Sequence, residues 1–235
     1  MNNVRTVSDT KRTFYSLHTR PINTIYRRVV EELMVEMHLL SVNVDFSYNP
    51  IYALGVVTTF DRFMQGYQPE RDKESIFHAI CQAVEQEAQR YRHDAERLQT
   101  LAKSLAANDL IAWLSQTNHL NQDPDLQLQL QAIANNSQFK YNRLFAIGLF
   151  SLLEQSDPDL VKDDKQRTDA INTIAAGLHL SEDKLSKDLE LYRSNLEKMS
   201  QALVVMADMI SADRKKREQR QQQSTTPVTP PTANE

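Results

Sequence analysis

The chain has 235 residues, a formal net charge of −4 and four glycines. This length allows one ordinary domain or two small ones, and it is sufficient to bury a core without disulfides or metal ions. The low glycine count argues against β-rich folds with many tight turns and against Gly-rich phosphate loops. The charge gives no overall attraction toward nucleic acid or an acidic membrane surface. A mean hydropathy of −0.54 is typical of a soluble protein.

Two further features indicate the compartment. Cys81 is the single cysteine, so no intramolecular disulfide can form, which fits a reducing environment. The N-terminal sequence MNNVRTVSDTKRTF lacks the apolar core of a signal peptide. We therefore expect the protein on the cytoplasmic side.

The first half of the chain is predicted to be helical, because its apolar residues recur at steps of three and four. The sequence RPINTIYRRVVEELMVEMHLL predicts a helix that begins with Pro21 at its first position. A second helix should begin at Pro50 and stop near Gly66, which suits a left-handed residue. Its β-branched residues 56–59 could also form a strand, although their helical flanks favour a helix. Residues 70–105 form one long helix or two in series.

The next segments also carry recognisable helix signals. Asp123 and Pro124 predict the start of a helix that runs toward Asn135. The sequence SDPDLVKDDK is predicted to be an acidic connection, and the helix that follows it should end near Gly177.

The most apolar stretch of the chain is FKYNRLFAIGLFSLLE, residues 139–154, which has no charge from Leu144 to Leu153. Ten residues form a helix of about 15 Å, which is about half the hydrocarbon thickness of a bilayer and cannot span it. A helix that is apolar on all sides is typical of the centre of a bundle. A partner-binding or membrane-surface helix is the alternative.

The strongest pattern is in the last predicted helix, which Ser181 can cap. Eight apolar residues follow one another at alternating steps of four and three, and we call them the heptad seam: Leu185, Leu189, Tyr192, Leu196, Met199, Leu203, Met206 and Ile210. Extended to about Gln221, this helix would be roughly 60 Å long. The sequence thus predicts an all-α fold, with a helical bundle domain at 1–180, a long helix at 181–221 partly packed on that bundle, and a disordered tail at 222–235.

A compact domain of this size is narrower than a 60 Å helix, so the part from about Leu203 is predicted to project and to dock another helix. The candidate partner-binding residues are Leu203, Met206, Ile210, Arg214, Lys215, Lys216 and Arg217. The four basic residues could touch phosphates or anionic lipid, but they also suit the negative end of a helix, which is the favoured interpretation. Arg27 and Arg28 are secondary candidates, and a solvated helix surface also explains them.

The chain carries no motif for nucleotide binding and no nucleophile elbow. His78, Cys81 and Glu85 share a helical face with metal-ligand spacing, but their apolar neighbours favour a core position. His93 and Asp94 are adjacent in sequence and do not face each other on a helix. We therefore predict no catalytic, cofactor or metal site, and no nucleic-acid partner.

Several segments together resemble the thylakoid formation protein family of cyanobacteria and chloroplasts, also described as a photosystem II biogenesis factor. They are TVSDTKRTFY, RPINTIYRRVVEELMVEMHLLS, NPIYALGVVTTFDRFMQGY, FKYNRLFAIGLFSLLE and KDLELYRSNLEKM, followed by DRKKRE. The resemblance extends from about Thr6 to Glu218. The chain begins directly at the first of these blocks, without a transit peptide, as expected of a cyanobacterial member.

The resemblance implies a helical protein that is soluble or peripherally attached to thylakoid membranes. It also implies a role in photosystem II assembly and repair, and in accumulation of the FtsH-family thylakoid protease. None of these segments is a catalytic motif, so the resemblance implies no active site. The expected function is therefore that of an accessory factor that binds this protease. A coiled-coil homodimer without a protease partner and an enzyme that uses the His78 or His93 region are the alternatives, and the oligomeric state stays open.

Overall fold

The computed structural model describes residues 5–224, except for the side chains of Ile210, Asp213 and residues 217–224. The part of the chain so described is all-α, as predicted, and has no strand. Its helices are α1 Val7–Leu17, α2 Thr24–Ser41, α3 Pro50–Phe63, α4 Arg71–Ala83, α5 Ala88–Ser104, α6 Ala107–Leu114, α7 Pro124–Ala134, α8 Arg143–Ser156, α9 Pro158–Lys162, α10 Asp164–Gly177 and α11 Glu182–Ser224.

The chain divides into two compact units within α11, one that ends at Arg193 and one that begins at Ser194. The predicted domain boundary after residue 180 and the projection from about Leu203 stay predictions. Residues 222–224 of the predicted tail belong to α11, and residues 225–235 lie outside the described part.

Helix starts follow the capping residues of the sequence. The Asn49 side chain accepts a hydrogen bond from the Tyr52 N–H (2.9 Å), with Pro50 as the first helical residue. Asp123 and Pro124 begin α7 in the same way. The prediction for Pro21 was wrong, because α2 begins three residues later at Thr24. The Asn23 side chain accepts a hydrogen bond from the Ile25 N–H (3.1 Å) and so determines this start.

The structure also tests three predictions about secondary structure, at residues 56–59, at residues 70–105 and after Asp157. Residues 56–59 are helical and belong to α3. Residues 70–105 form two helices, α4 and α5, separated at Glu85, whose φ of 60° is left-handed. The acidic segment after Asp157 was wrongly predicted to be a connection. It contains α9, because the Asp157 carboxylate accepts the first N–H groups of a helix that starts with a proline.

The core of the first unit is the crossing of α3 and α8, the most extensive helix contact in the described chain. All ten residues from Leu144 to Leu153 are buried, which confirms the prediction of a central helix. Gly55 and Gly148 lie at the crossing, where an added Cβ would come within 1.7 Å of the Leu144 carbonyl oxygen and 2.0 Å of the Ile51 carbonyl oxygen, respectively. The two backbones can therefore approach only because neither glycine has a side chain.

The first turns of α11 complete this unit. The Ser181 hydroxyl accepts a hydrogen bond from the Lys184 N–H (3.4 Å), as expected of a cap. Leu185, Leu189 and Tyr192 of the heptad seam are buried. The Tyr192 ring packs edge to face against Phe150 at 6.4 Å. The first three residues of the heptad seam are therefore core.

Candidate interaction surface

The part of α11 that follows Ser194 carries apolar side chains that remain accessible. Leu203 and Met206 are half-buried. Val204, Val205 and Met209 are more exposed, at 59, 57 and 69%. A helix that leaves several large apolar side chains in contact with water has a surface suited to another apolar surface.

The basic residues come directly after these apolar ones. Arg214, Lys215 and Lys216 are exposed. The side chains of the remaining candidates, Ile210 and Arg217, lie outside the described part of the chain.

The secondary candidates lie on α2 in the first unit. Arg27 and Arg28 are both exposed, and the Arg28 Nε donates to the Glu32 carboxylate one turn later (2.8 Å). This contact is the intrahelical i,i+4 pair of a solvated helix surface.

The residues considered for a metal site do not converge. Cys81 is buried, whereas the His78 side chain is 44% exposed. Glu85 lies beyond the end of α4, and its carboxylate accepts from Arg5 at 2.9 Å. Among the described residues, no group of three or more His, Cys, Asp and Glu side chains is placed to hold a metal ion. Burial raises the pKa of the Cys81 thiol to about 12, so this thiol stays protonated at neutral pH.

Asp94, considered in the sequence together with His93, is hydrogen-bonded to another element of the fold. The Asp94 carboxylate accepts a hydrogen bond from the Tyr48 hydroxyl (2.7 Å). This bond ties the loop before α3 to α5, so the role that the structure gives to Asp94 is to hold two elements together.

Open clefts lie on the surface of the first unit. The cleft between the end of α7 and the start of α11 has a volume of about 520 Å³ and includes Phe139, Tyr141 and Lys184. A second cleft, of about 460 Å³, includes Arg90 and Arg97. In this cleft the Arg97 guanidinium pairs with Asp123 and Asp125. A smaller cavity of about 210 Å³ is lined largely by aromatic rings.

None of the helices in the described part is long and apolar enough to cross a membrane.

The family model for the thylakoid formation protein matches residues 6–221. The chain belongs to this family. A relative named Protein Thf1, from Nostoc sp. (strain PCC 7120 / SAG 25.82 / UTEX 2576), is 84% identical over 231 residues, which cover 98% of this chain and 99% of the relative. Protein Thf1 of Nostoc punctiforme is 80% identical over the whole of both chains.

The fold has an experimental counterpart. A solved structure of Psb29 is 43% identical in sequence and superposes with a TM-score of 0.79, covering 91% of this chain and 99% of that one. The resemblance seen in the sequence is thus confirmed over nearly the same span, and the all-helical architecture is that of a known protein.

Sequence reasoning selected Leu203 and Met206 and missed the more exposed Val204, Val205 and Met209. A signal was present, because residues 199–212 contain a single charged residue, Asp208. Heptad spacing identifies one seam of a helix, and it overlooks apolar residues that widen that seam.

Proposed function

We propose that the protein is a non-enzymatic accessory factor in thylakoid membrane biogenesis and in the assembly and repair of photosystem II. It acts by binding the FtsH-family thylakoid protease complex and supporting its accumulation. Membership of the thylakoid formation protein family supports the first part of this proposal. The second part is what the sequence resemblance implies.

The partner-binding surface of the proposal is the part of α11 from Ser194 onward. The observation that carries it is the exposure of Val205 and Met209, on the same side of the helix as Leu203 and Met206. Apolar side chains on an amphipathic helix are the anchors that such a helix inserts into the groove of a partner. The basic residues that follow would then meet an acidic part of the partner or anionic lipid heads.

The width of the apolar face supports a helical groove as the binding partner. At about 100° per residue, Val205, Met209, Met206 and Leu203 occupy an arc of about 160°. The stripe that one neighbouring helix covers in a coiled coil is narrower than this. A face of such width would contact two helices or a groove between them.

The proposal places the protein at the cytoplasmic side of the thylakoid membrane, with peripheral attachment. A protease complex anchored in that membrane would hold the protein there without a membrane span. High-salt or carbonate washing is then expected to release it, and a need for detergent would contradict this placement.

The test is a pull-down from cyanobacterial thylakoid extract with the full-length protein and a double variant, Leu203→Asp with Met206→Asp. We expect recovery of the FtsH-family protease to fall at least about tenfold, because two buried charges cost several kcal/mol at an apolar interface. The thermal midpoint should be nearly unchanged, since both residues are half-buried in the free protein.

A matched control adds the same two charges outside the apolar face. Ser200→Asp with Ser211→Asp changes two exposed residues of the same helix, and protease recovery should be retained. Equal recovery with both double variants would contradict the proposed surface. Unfolding of the Leu203 and Met206 variant would show that these residues are core.

A coiled-coil homodimer is the second candidate, and one observation favours it. Leu196 and Met199 continue the heptad seam beyond Arg193 and are only half-buried. Sedimentation equilibrium of the purified protein distinguishes the two candidates. A dimer that the Leu203 and Met206 variant dissociates would favour self-association, whereas a monomer would favour an external partner.

A further inference from the structure

The small aromatic cavity in the first unit is distinct from the proposed docking helix. It has a volume of about 210 Å³ and is lined by Met37, Ser41, Phe46, Tyr48, Tyr52, Val84, Gln86 and Tyr91. Met37, Tyr52, Val84 and Tyr91 are buried. The other four lining residues remain accessible at the mouth. The cavity therefore has an apolar interior and an entrance from solvent.

Four aromatic rings form the walls and pack edge to face. The ring centroids lie 4.9 Å apart for Phe46 and Tyr52, 5.2 Å for Tyr48 and Tyr91, and 5.9 Å for Tyr52 and Tyr91. The faces of such rings carry negative charge density and attract cations. The cluster already holds one cation, because the Arg90 guanidinium lies 3.8 Å from the centroid of the Tyr48 ring.

Helix ends of both kinds border the cavity. α2 ends at Ser41 and α4 ends at Ala83, next to the lining residues Ser41 and Val84. α3 begins at Pro50 and α5 begins at Ala88, each two residues from the lining residues Tyr52 and Gln86. The carboxyl end of a helix carries a partial negative charge. The amino end carries a partial positive charge, so these helix ends together favour neither sign. A preference for a cation therefore comes from the aromatic rings.

The turn after α4 carries two glutamates that flank a lining residue in sequence. The left-handed conformation of Glu85 reverses the chain, and the Gln86 N–H donates to the Cys81 carbonyl (2.9 Å). This hydrogen-bond pattern is typical of a helix C-terminus. It places Gln86 in the cavity wall between Glu85 and Glu87, both of which are exposed. The Glu85 carboxylate is paired with Arg5, whereas Glu87 follows Gln86 at the start of α5.

An exposed apolar loop borders the same entrance. Val42 and Val44 lie between the lining residues Ser41 and Phe46, and they are 40 and 97% exposed. Leu39, one turn earlier on α2, is 56% exposed. A small free cation would leave these side chains in water. A protein segment would cover them while its basic side chain enters the cavity.

We propose that this cavity binds a lysine or arginine side chain of a partner protein, whose neighbouring apolar residues cover Val42 and Val44. The aromatic walls contact the cationic group and its alkyl stem. The carboxylate of Glu87, which follows the lining residue Gln86, supplies the complementary charge. This surface is independent of α11, and its failure would leave the proposed protease contact unaffected.

The test uses full-length protein labelled with ¹³C-tyrosine, which reports on eight tyrosines by NMR. The probes are the peptides acetyl-Val-Lys-Val-amide and acetyl-Val-norleucine-Val-amide, which differ in the ammonium group. We expect the lysine peptide to shift the resonances of Tyr48, Tyr52 and Tyr91. The norleucine peptide should bind about three- to thirtyfold more weakly, the range that a cation–π contact provides.

Three variants separate the contributions of the rings and the charges. Phe46→Leu removes one wall, and Glu87→Gln removes one carboxylate, so each should weaken the lysine peptide several-fold. Tyr15→Phe changes a tyrosine that does not line the cavity and should leave binding unchanged, with circular dichroism as the check on folding. Equal affinity for the two peptides would show that the cavity does not recognise the ammonium group and would contradict the proposal. Absence of binding by the lysine peptide would also overturn it.

Discussion

The approach of α3 to α8 depends on Gly148, and this dependence makes a sharp prediction for Gly148→Ala. The added Cβ would lie 2.0 Å from the Ile51 carbonyl oxygen, whereas ordinary contacts begin near 3.4 Å. The opposing atom belongs to a helix backbone and cannot rotate away as a flexible side chain can. The two helices must therefore separate by about 1.4 Å at this point, the difference between those two distances.

The cost of this separation follows from the packing around it. A gap of about 0.5–1 Å already forfeits a quarter to a half of a dispersion contact, and both helices are buried along most of their length. Overpacked cores lose about 1–3 kcal/mol, and a clash between backbones belongs at the upper end or beyond. The greater helix propensity of alanine returns about 1 kcal/mol. We expect a net loss of about 2–3 kcal/mol and a fall in the thermal midpoint of about 4–12 °C.

Urea unfolding followed by circular dichroism measures this loss. Gly55→Ala should behave similarly, because its Cβ would lie 1.7 Å from the Leu144 carbonyl oxygen. The double variant should lose less than the sum of the two, since either change already separates the same helices. Gly66→Ala is the control for backbone strain alone. Gly66 has a φ of 77°, and an added Cβ would lie at an ordinary contact distance of 3.4 Å from the Tyr26 hydroxyl, so the substitution should cost about 1–2 kcal/mol. A loss below about 0.5 kcal/mol for Gly148→Ala would refute this account.

Two further predictions concern buried side chains of the first unit. Leu149→Ala should lower the free energy of unfolding by about 2–5 kcal/mol, as core truncations do, because Leu149 is 3% exposed; a loss below about 0.5 kcal/mol in urea titration would show that the site is not core. The Cys81 thiol has its pKa raised from 9.0 to about 12 by burial, so its contribution to stability is present below pH 9 and is lost as the pH rises toward 12. Cys81→Ala should therefore show a shallower loss of stability over that range, and an equal loss in both proteins would contradict the assignment.

Much of the secondary structure could be predicted, because local signals determine it. Asn49 with Pro50, and Asp123 with Pro124, begin helices through a side-chain acceptor and a proline that needs no N–H partner. The predictions failed where two local signals competed. At the start of α2 the cap of Asn23 prevailed over Pro21, and after Asp157 a capped turn formed within an acidic segment.

For the candidate interaction surface, too, the sequence predicts one part and leaves another undetermined. Heptad spacing correctly indicated that Leu185, Leu189 and Tyr192 face a neighbour, but the same spacing continues to Leu203, which is half-buried. A pattern along one helix shows which face is apolar and carries no information on which turns are covered. That coverage depends on residues distant in sequence, as when Phe150 meets Tyr192.

The sequence by itself determined the helical class, the family and the burial of residues 144–153, because hydrophobic periodicity and capping act within a few turns of chain. Only the tertiary structure decided that Gly55 and Gly148 meet at one helix crossing. It alone also brought Tyr91 of α5 against Tyr48 and Tyr52 to form the aromatic cavity. The ring contacts join residues about forty positions apart, and the two glycines are about ninety positions apart. No local preference encodes such contacts, because they form only when whole helices pack and exclude water.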